Sequence, residues 1–354
     1  MHRGTGIVVR RRPRRLSAMR GVEREAVAGR ICPASYSYSP SSFARPPELR
    51  AEVLYIVGGL YGNRFALAEI ERMAERETVE THIVFNGDFH WFDADANAFV
   101  HIDNTVARYI ALRGNVETEL SGDDDANGCG CAYPEAVPDA DVERSNAILK
   151  RLRESARHAD ALMPGLRKRL AGLPMHLVAE VGDSRIGIVH GDGWALAGWR
   201  FAHDSLHNPE RAAAMNALFE QAALDGFAST HTCLPALKVF GTPLGERFVV
   251  NNGAAGMPNF ANTRYGLITR LAATPLPPAL SPTRVYGADA AGVYVDALAV
   301  RFDASAWDAE FELMWPKLSP AYLSYRHRIA NGPDFSVDEA LGRAPLRACL
   351  AVAA

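Results

Sequence analysis

Six short segments pair a glycine or hydroxyl residue with a polar or metal-ligating side chain. They are Gly58-Gly59-Leu60-Tyr61-Gly62-Asn63, Gly87-Asp88, Gly114-Asn115-Val116-Glu117, His190-Gly191, Ser229-Thr230-His231 and Asn252-Gly253. Each falls where an apolar run stops. The β-branched and aromatic residues 53–57 end at Gly58, residues 81–85 at Asn86-Gly87-Asp88, and residues 109–112 at Arg113-Gly114-Asn115. Between the first two runs, Ala66, Leu67, Ile70 and Met73 recur at helical spacing after Asn63, which predicts a helix with one apolar face. Apolar strands that deliver polar side chains at their carboxyl ends predict an α/β sheet with its ligands at that edge.

The stretch of about 119–174 breaks the rhythm and reads as a helical insertion. It opens on Asp123-Asp124-Asp125, a solvated turn, and on Cys129 and Cys131, read as ordinary thiols. Asp141 is the expected cap of its first helix. From His176 the pattern is β again. A hairpin about Gly182-Asp183-Ser184 ends at His190, and further strands are expected near residues 226–229, 248–251, 267–271 and 293–302.

In this order the six segments resemble the motif series of the calcineurin-like metallophosphoesterases, especially their compact bacterial phosphodiesterase branch. The resemblance covers roughly residues 51–303. It implies a four-layer α/β/β/α sandwich with a two-metal site at the strand ends. In that family an Asp-x-His pair after the first strand serves the first metal, and the Asp of Gly-Asp bridges both. The Asn of Gly-Asn, the His of His-Gly and the first His of Gly-His-x-His serve the second metal, and the last His completes the first. Carried over residue by residue, the implied ligands here are Asp88, Asn115, His190 and His231.

Three positions depart from that pattern. Gly59 and Tyr61 stand where the Asp and His of the first motif belong, and Ser229 stands where the first His of the last motif belongs. The surviving set implies one divalent transition-metal ion (Mn, Fe, Zn or Ni), with two as the alternative. Candidate substitute ligands are Tyr61, as a phenolate, and His90, Asp93 and Cys233, which lie close in sequence to motif positions. The implied reaction is hydrolysis of a phosphodiester or small phosphomonoester by a metal-bound hydroxide, with Asp88, His190 and His231 as catalytic residues. Some members place a leaving-group acid after the Gly-Asn pair; Val116 stands there, so His90 is the nearest candidate proton donor. The alternative is a non-catalytic binding or scaffolding module that has kept the fold. Trp194 and Trp199, just after His190, are expected in the aromatic core or as a pocket wall.

Composition narrows the rest. With 354 residues, 48% of them apolar, the chain is long enough for one large domain, and a net charge of −3 makes no case for nucleic-acid or membrane-surface binding. No run approaches the about 18 apolar residues of a membrane span. Five cysteines, an odd number, suggest no disulfide framework and hence a reducing, cytoplasmic setting. The first fifty residues hold eleven arginines and three acids. Residues 1–47 are read as a disordered tail, with a transit segment, a nucleic-acid arm or an over-long gene as alternatives. Residues 48–303 form the expected domain, and residues 304–354 an aromatic extension packed on it. The pattern sets no oligomeric state.

Overall fold

A computed structural model describes Met1 and residues 27–345. In chain order the elements are β1 (Leu49–Ala51), β2 (Val53–Val57), α1 (Arg64–Ala74), β3 (Thr81–Asn86), α2 (Ala96–Val106), β4 (Ile110–Leu112) and α3 (Asn115–Ser121). Next come α4 (Asp139–Leu162), α5 (Leu166–Gly172), β5 (His176–Val181), β6 (Ser184–Val189), α6 (His203–His207), α7 (Ala212–Ala222) and β7 (Gly226–Ser229). The remainder are β8 (Pro235–Thr242), β9 (Gly245–Asn252), β10 (Gly266–Ala272), β11 (Arg284–Ala290), β12 (Val293–Val300), α8 (Ala304–Met314), α9 (Pro320–Asn331) and α10 (Val337–Ala340).

The strands make two six-stranded sheets, in the orders β1-β5-β6-β7-β9-β8 and β11-β12-β10-β2-β3-β4. Side-chain alternation along each strand sorts the core into layers. On β2, Leu54 and Ile56 meet Ile186, Ile188, Phe248 and Val250 of the other sheet. The opposite face of β2, Val53, Tyr55 and Val57, packs in one cluster with Leu67 and Ile70 of α1 and Phe99 of α2. Val178, Val189 and Val249 cover the far side of the β1-β5-β6-β7-β9-β8 sheet with Leu218 and Phe219 of α7. The result is α/β/β/α, the four layers the sequence implies. Strands β2, β3 and β4 pair in parallel, as do β6, β7 and β9, so their carboxyl-terminal turns converge. The six segments meet there.

Local chemistry explains the helix starts. Asn63 caps α1 by accepting from Phe65 N and Ala66 N. Pro138, not Asp141, occupies the cap position of α4; Asp141 sits in the first turn and pairs with Arg144. The acidic turn is also more than solvated. Asp123 pairs with Arg157 and Arg167, and Asp125 with Arg153, tying the turn to α4 and α5.

The amino-terminal boundary needs correction. Residues 2–26, with most of the arginine run, lie outside the described residues, but residues 27–47 pack on the domain. Arg30 donates to the carbonyls of Pro134 (2.8 Å) and Val137 (2.6 Å). Tyr36, 1% exposed, donates to Glu119 at 2.6 Å, and Phe43 is fully buried. A chain starting at Ser39 should therefore melt several degrees below one starting at Val27. Truncating a buried aromatic typically costs about 3–5 kcal/mol, and thermal melts of the two chains provide the check. Equal melting points would show that this strap adds nothing.

At the other end, Trp307, Phe311, Trp315 and Tyr325 are buried around Phe92, and Trp315 Nε1 donates to Phe92 O at 2.9 Å. From α9, the buried Arg328 guanidinium donates to Cys233 O (2.6 Å) and Pro258 O (3.1 Å). No helix among the described residues is long and apolar enough to cross a membrane.

Candidate metal centre

Asp88 leaves β3 in the left-handed region, φ 55°, directly after Gly87 at φ 81°. A Cβ on Gly87 would lie 2.5 Å from Gly114 N, so only glycine lets the β3 and β4 turns come this close. Glu117 then clips the turns together. Its carboxylate accepts from Asp88 N (2.8 Å), Phe89 N (2.9 Å) and Gly114 N (2.9 Å). Asp88, Asn115, His190 and His231 are all buried, and ligand atoms of Asp88, His190 and His231 lie within 4.8 Å of one another.

Surrounding carbonyls decide how these side chains face. His190 Nδ1 lies 2.9 Å from Asn86 O, and His231 Nε2 lies 3.0 Å from Cys131 O. A carbonyl only accepts, so each of those ring nitrogens carries the proton and the other turns a lone pair inward. Asn115 Nδ2 donates to Cys129 O at 2.9 Å, which aims Oδ1 at the same point. His190 Nε2 is then 3.1 Å from Asn115 Oδ1, 3.2 Å from His231 Nδ1 and 3.3 Å from Asp88 Oδ1. Four acceptors face one another with no donor among them in the neutral tautomers. Such a buried group requires a proton or a cation at its centre. Without a metal, the proton goes to His190. Burial lowers its pKa, but the Asp88 carboxylate outweighs this and leaves it raised. Burial and then the His190 charge push His231 down to about 3. A mixed nitrogen and oxygen set of this kind fits a borderline divalent metal.

Asp88, Asn115 and His231 form the floor of a small cavity of about 20 Å³, room for about one water molecule. Its walls are Tyr61, Trp91, Tyr133, Trp199 and Tyr325, with Val116, Cys131 and Cys233 between them. Tyr61, φ 56°, folds over Gly59: a Cβ there would meet its ring carbon at 2.9 Å. The ring occupies the space into which a side chain at position 59 would project. Burial, followed by the nearby Cys233 and Asp88 charges, raises the Tyr61 phenol well above its ordinary value. Its hydroxyl lies 2.9 Å from Cys233 Sγ, so without an ion it stands as a phenol rather than a phenolate. Ser229 is buried and its hydroxyl has no hydrogen-bond partner.

The other sequence candidates divide. His90 is not among the residues lining the cavity; it bonds Asp93 at 2.6 Å and stacks on Phe99. His90 and Asp93 thus engage each other rather than line the cavity. Trp199 is a cavity wall that donates to Cys131 O at 2.9 Å, whereas Trp194 lies under the Arg200 guanidinium, 4.2 Å from its ring centre. Cys129 and Cys131 are joined as a disulfide, correcting the reading of free thiols. Sequence reasoning missed the clip by Glu117, although the residue lies inside a quoted segment. It also missed the walls Trp91, on the loop that carries Gly87-Asp88, and Tyr133 and Tyr325, from segments that carry no motif.

No family model and no curated protein matches the chain. Solved structures do. A metallophosphoesterase from Sphaerobacter thermophilus is 16% identical over 79% of this chain and 99% of its own, with a TM-score of 0.48. The hypothetical protein PH1004 from Pyrococcus horikoshii OT3 is 16% identical over 80% of this chain and 99% of its own, with a TM-score of 0.51. Identity at this level speaks to fold alone. The chain therefore shares its overall fold with the Pyrococcus protein, with two six-stranded sheets between helical layers.

Proposed function

We propose that this protein is a metal-dependent phosphoesterase that works with one divalent ion held by Asp88, Asn115, His190 and His231. The observation that supports the reading is the donor-free meeting of four buried acceptor atoms. The chemistry supplied by a bound ion is polarisation of a phosphoryl oxygen and activation of water for attack. Carbonyl contacts preset the tautomers of His190 and His231, so both rings present lone pairs without rearrangement. The aromatic walls exclude bulk water and strengthen every charge interaction inside. Tyr61, still protonated, is the hydroxyl donor available to a leaving group within the cavity.

Charge favours a diester. The lining contains one carboxylate, Asp88, and no lysine or arginine. A divalent ion there leaves one net positive charge, which matches a monoanionic phosphodiester better than a dianionic monoester.

A second reading, a non-catalytic module, draws on one observation: Gly59, Tyr61 and Ser229 supply no charged ligand, and the Tyr61 ring occupies the space over Gly59. Elemental analysis of tag-free protein, run beside assays with bis(4-nitrophenyl) phosphate and 4-nitrophenyl phosphate, separates the two. The expected result is about one ion per chain and faster diester hydrolysis. Two tightly held ions would overturn the single-site reading. No metal after reconstitution would establish the module instead.

A further inference from the structure

The two carbonyls that orient Asn115 and His231 belong to Cys129 and Cys131, the two ends of one disulfide. Cys129 O accepts from Asn115, and Cys131 O accepts from both His231 and Trp199. A single bridge across one intervening residue therefore holds two of the four proposed ligands and one cavity wall. Cys129 is fully buried, while Cys131 is 6% exposed and lines the cavity. Cys131 is thus the end of the bridge that meets the cavity.

We propose that Cys129 and Cys131 form a reversible thiol–disulfide site that controls the affinity of the metal centre, tight when oxidised and weak when reduced. The inference rests on the metal-centre reading above. In the reductive step a thiolate of a dithiol reductant attacks Cys131 Sγ, the bridge breaks, and Cys129 leaves as a thiolate and is protonated. The second reductant thiol then attacks the mixed disulfide. Cys131 is released and protonated, and the reductant departs as its own disulfide, so two electrons and two protons pass to the protein. Opening the bridge removes the covalent closure that keeps the two carbonyls in place. Asn115 and His231 lose their holders while remaining in the chain. Changes to groups that orient metal ligands typically cost about 10–100-fold in affinity.

Calorimetric titration of Mn²⁺ or Zn²⁺ into protein oxidised with a mild disulfide oxidant, and into protein reduced with a non-chelating phosphine reductant, provides the test. Mass spectrometry of the peptide spanning the pair reads the redox state independently, since the oxidised peptide is lighter by two hydrogens. The oxidised form is expected to bind at least about tenfold more tightly. Cys129→Ser should bind like the reduced form whatever the reductant, whereas Cys32→Ser, altering an exposed thiol, should respond like the wild type. If Cys129→Ser does not fold, the wild-type comparison decides by itself. Equal affinity in the two forms, tighter binding on reduction, or no oxidised peptide would overturn the coupling and leave the metal centre standing. Absence of binding in both forms would overturn both.

Discussion

Asp88→Asn protein is expected to lose its bound ion and its turnover while keeping its fold. Asparagine tolerates the left-handed backbone at this position, φ 55°, and its amide oxygen can still accept from Val116 N, the 3.2 Å partner of Asp88 Oδ1. What disappears is the one charge on the cavity floor. Altering an orienting group costs about 10–100-fold in metal affinity, so losing a direct charged ligand should exceed about 100-fold. His190→Ala should do the same for a different reason. His190 Nε2 is the atom nearest the other three acceptors, and its removal separates them. Circular dichroism and a thermal melt establish the fold of each variant, and calorimetric metal titration with a diester assay reads the loss. Undiminished turnover in folded Asp88→Asn protein would place the chemistry elsewhere.

The second large effect is a gain. Changing Gly59→Asp, Tyr61→His and Ser229→His together is expected to raise metal stoichiometry from one ion to two and to increase diesterase activity over the wild type. The structure places these positions beside the site: Gly59 N bonds Gly87 O and Tyr61 N bonds Asp88 O, both at 3.2 Å. Gly59→Asp alone should fail, because its Cβ would meet the Tyr61 ring. Removing that ring in the same variant relieves the clash. Aspartate is also among the few residues that accept the φ of 63° at position 59. The partnerless Ser229 hydroxyl marks a buried place where a polar side chain has no present partner to lose. Calorimetry on wild type and triple variant decides between the outcomes. Unchanged stoichiometry in a folded triple variant would mean that the loops have diverged beyond ligand loss and that the alignment at Gly59 and Ser229 is wrong.

Much of the fold was legible because buried central strands write themselves as apolar runs, and β2, β3, β6 and β10 lie inside the sheets. The strands the sequence hid are edge strands: the three-residue β1, and the longer β8 and β11. Their residues, Pro235 to Thr242 and Arg284 to Ala290, mix glycine, charge and exposed positions, so neither alternation nor a continuous apolar run stands out. The four residues that meet in the cluster were legible because each lies within a turn motif. Their orientation was not. It depends on carbonyls of Asn86, Cys129 and Cys131, and every residue has a carbonyl, so composition carries no trace of which one is used. The fate of His90 was equally hidden: its nearest partners are Asp93, three residues on, and Phe99, across a turn into α2.

Glu117 has one more effect. Its carboxylate engages the amides of Asp88, Phe89 and Gly114 with side-chain atoms alone. Those amides are expected to exchange slowly with solvent, and the spacing of the two turns is set during folding, when the entropy of ordering them is spent. On the proposed reading, an ion would meet loops whose spacing is already set, and its binding energy would go into coordination rather than into assembling them.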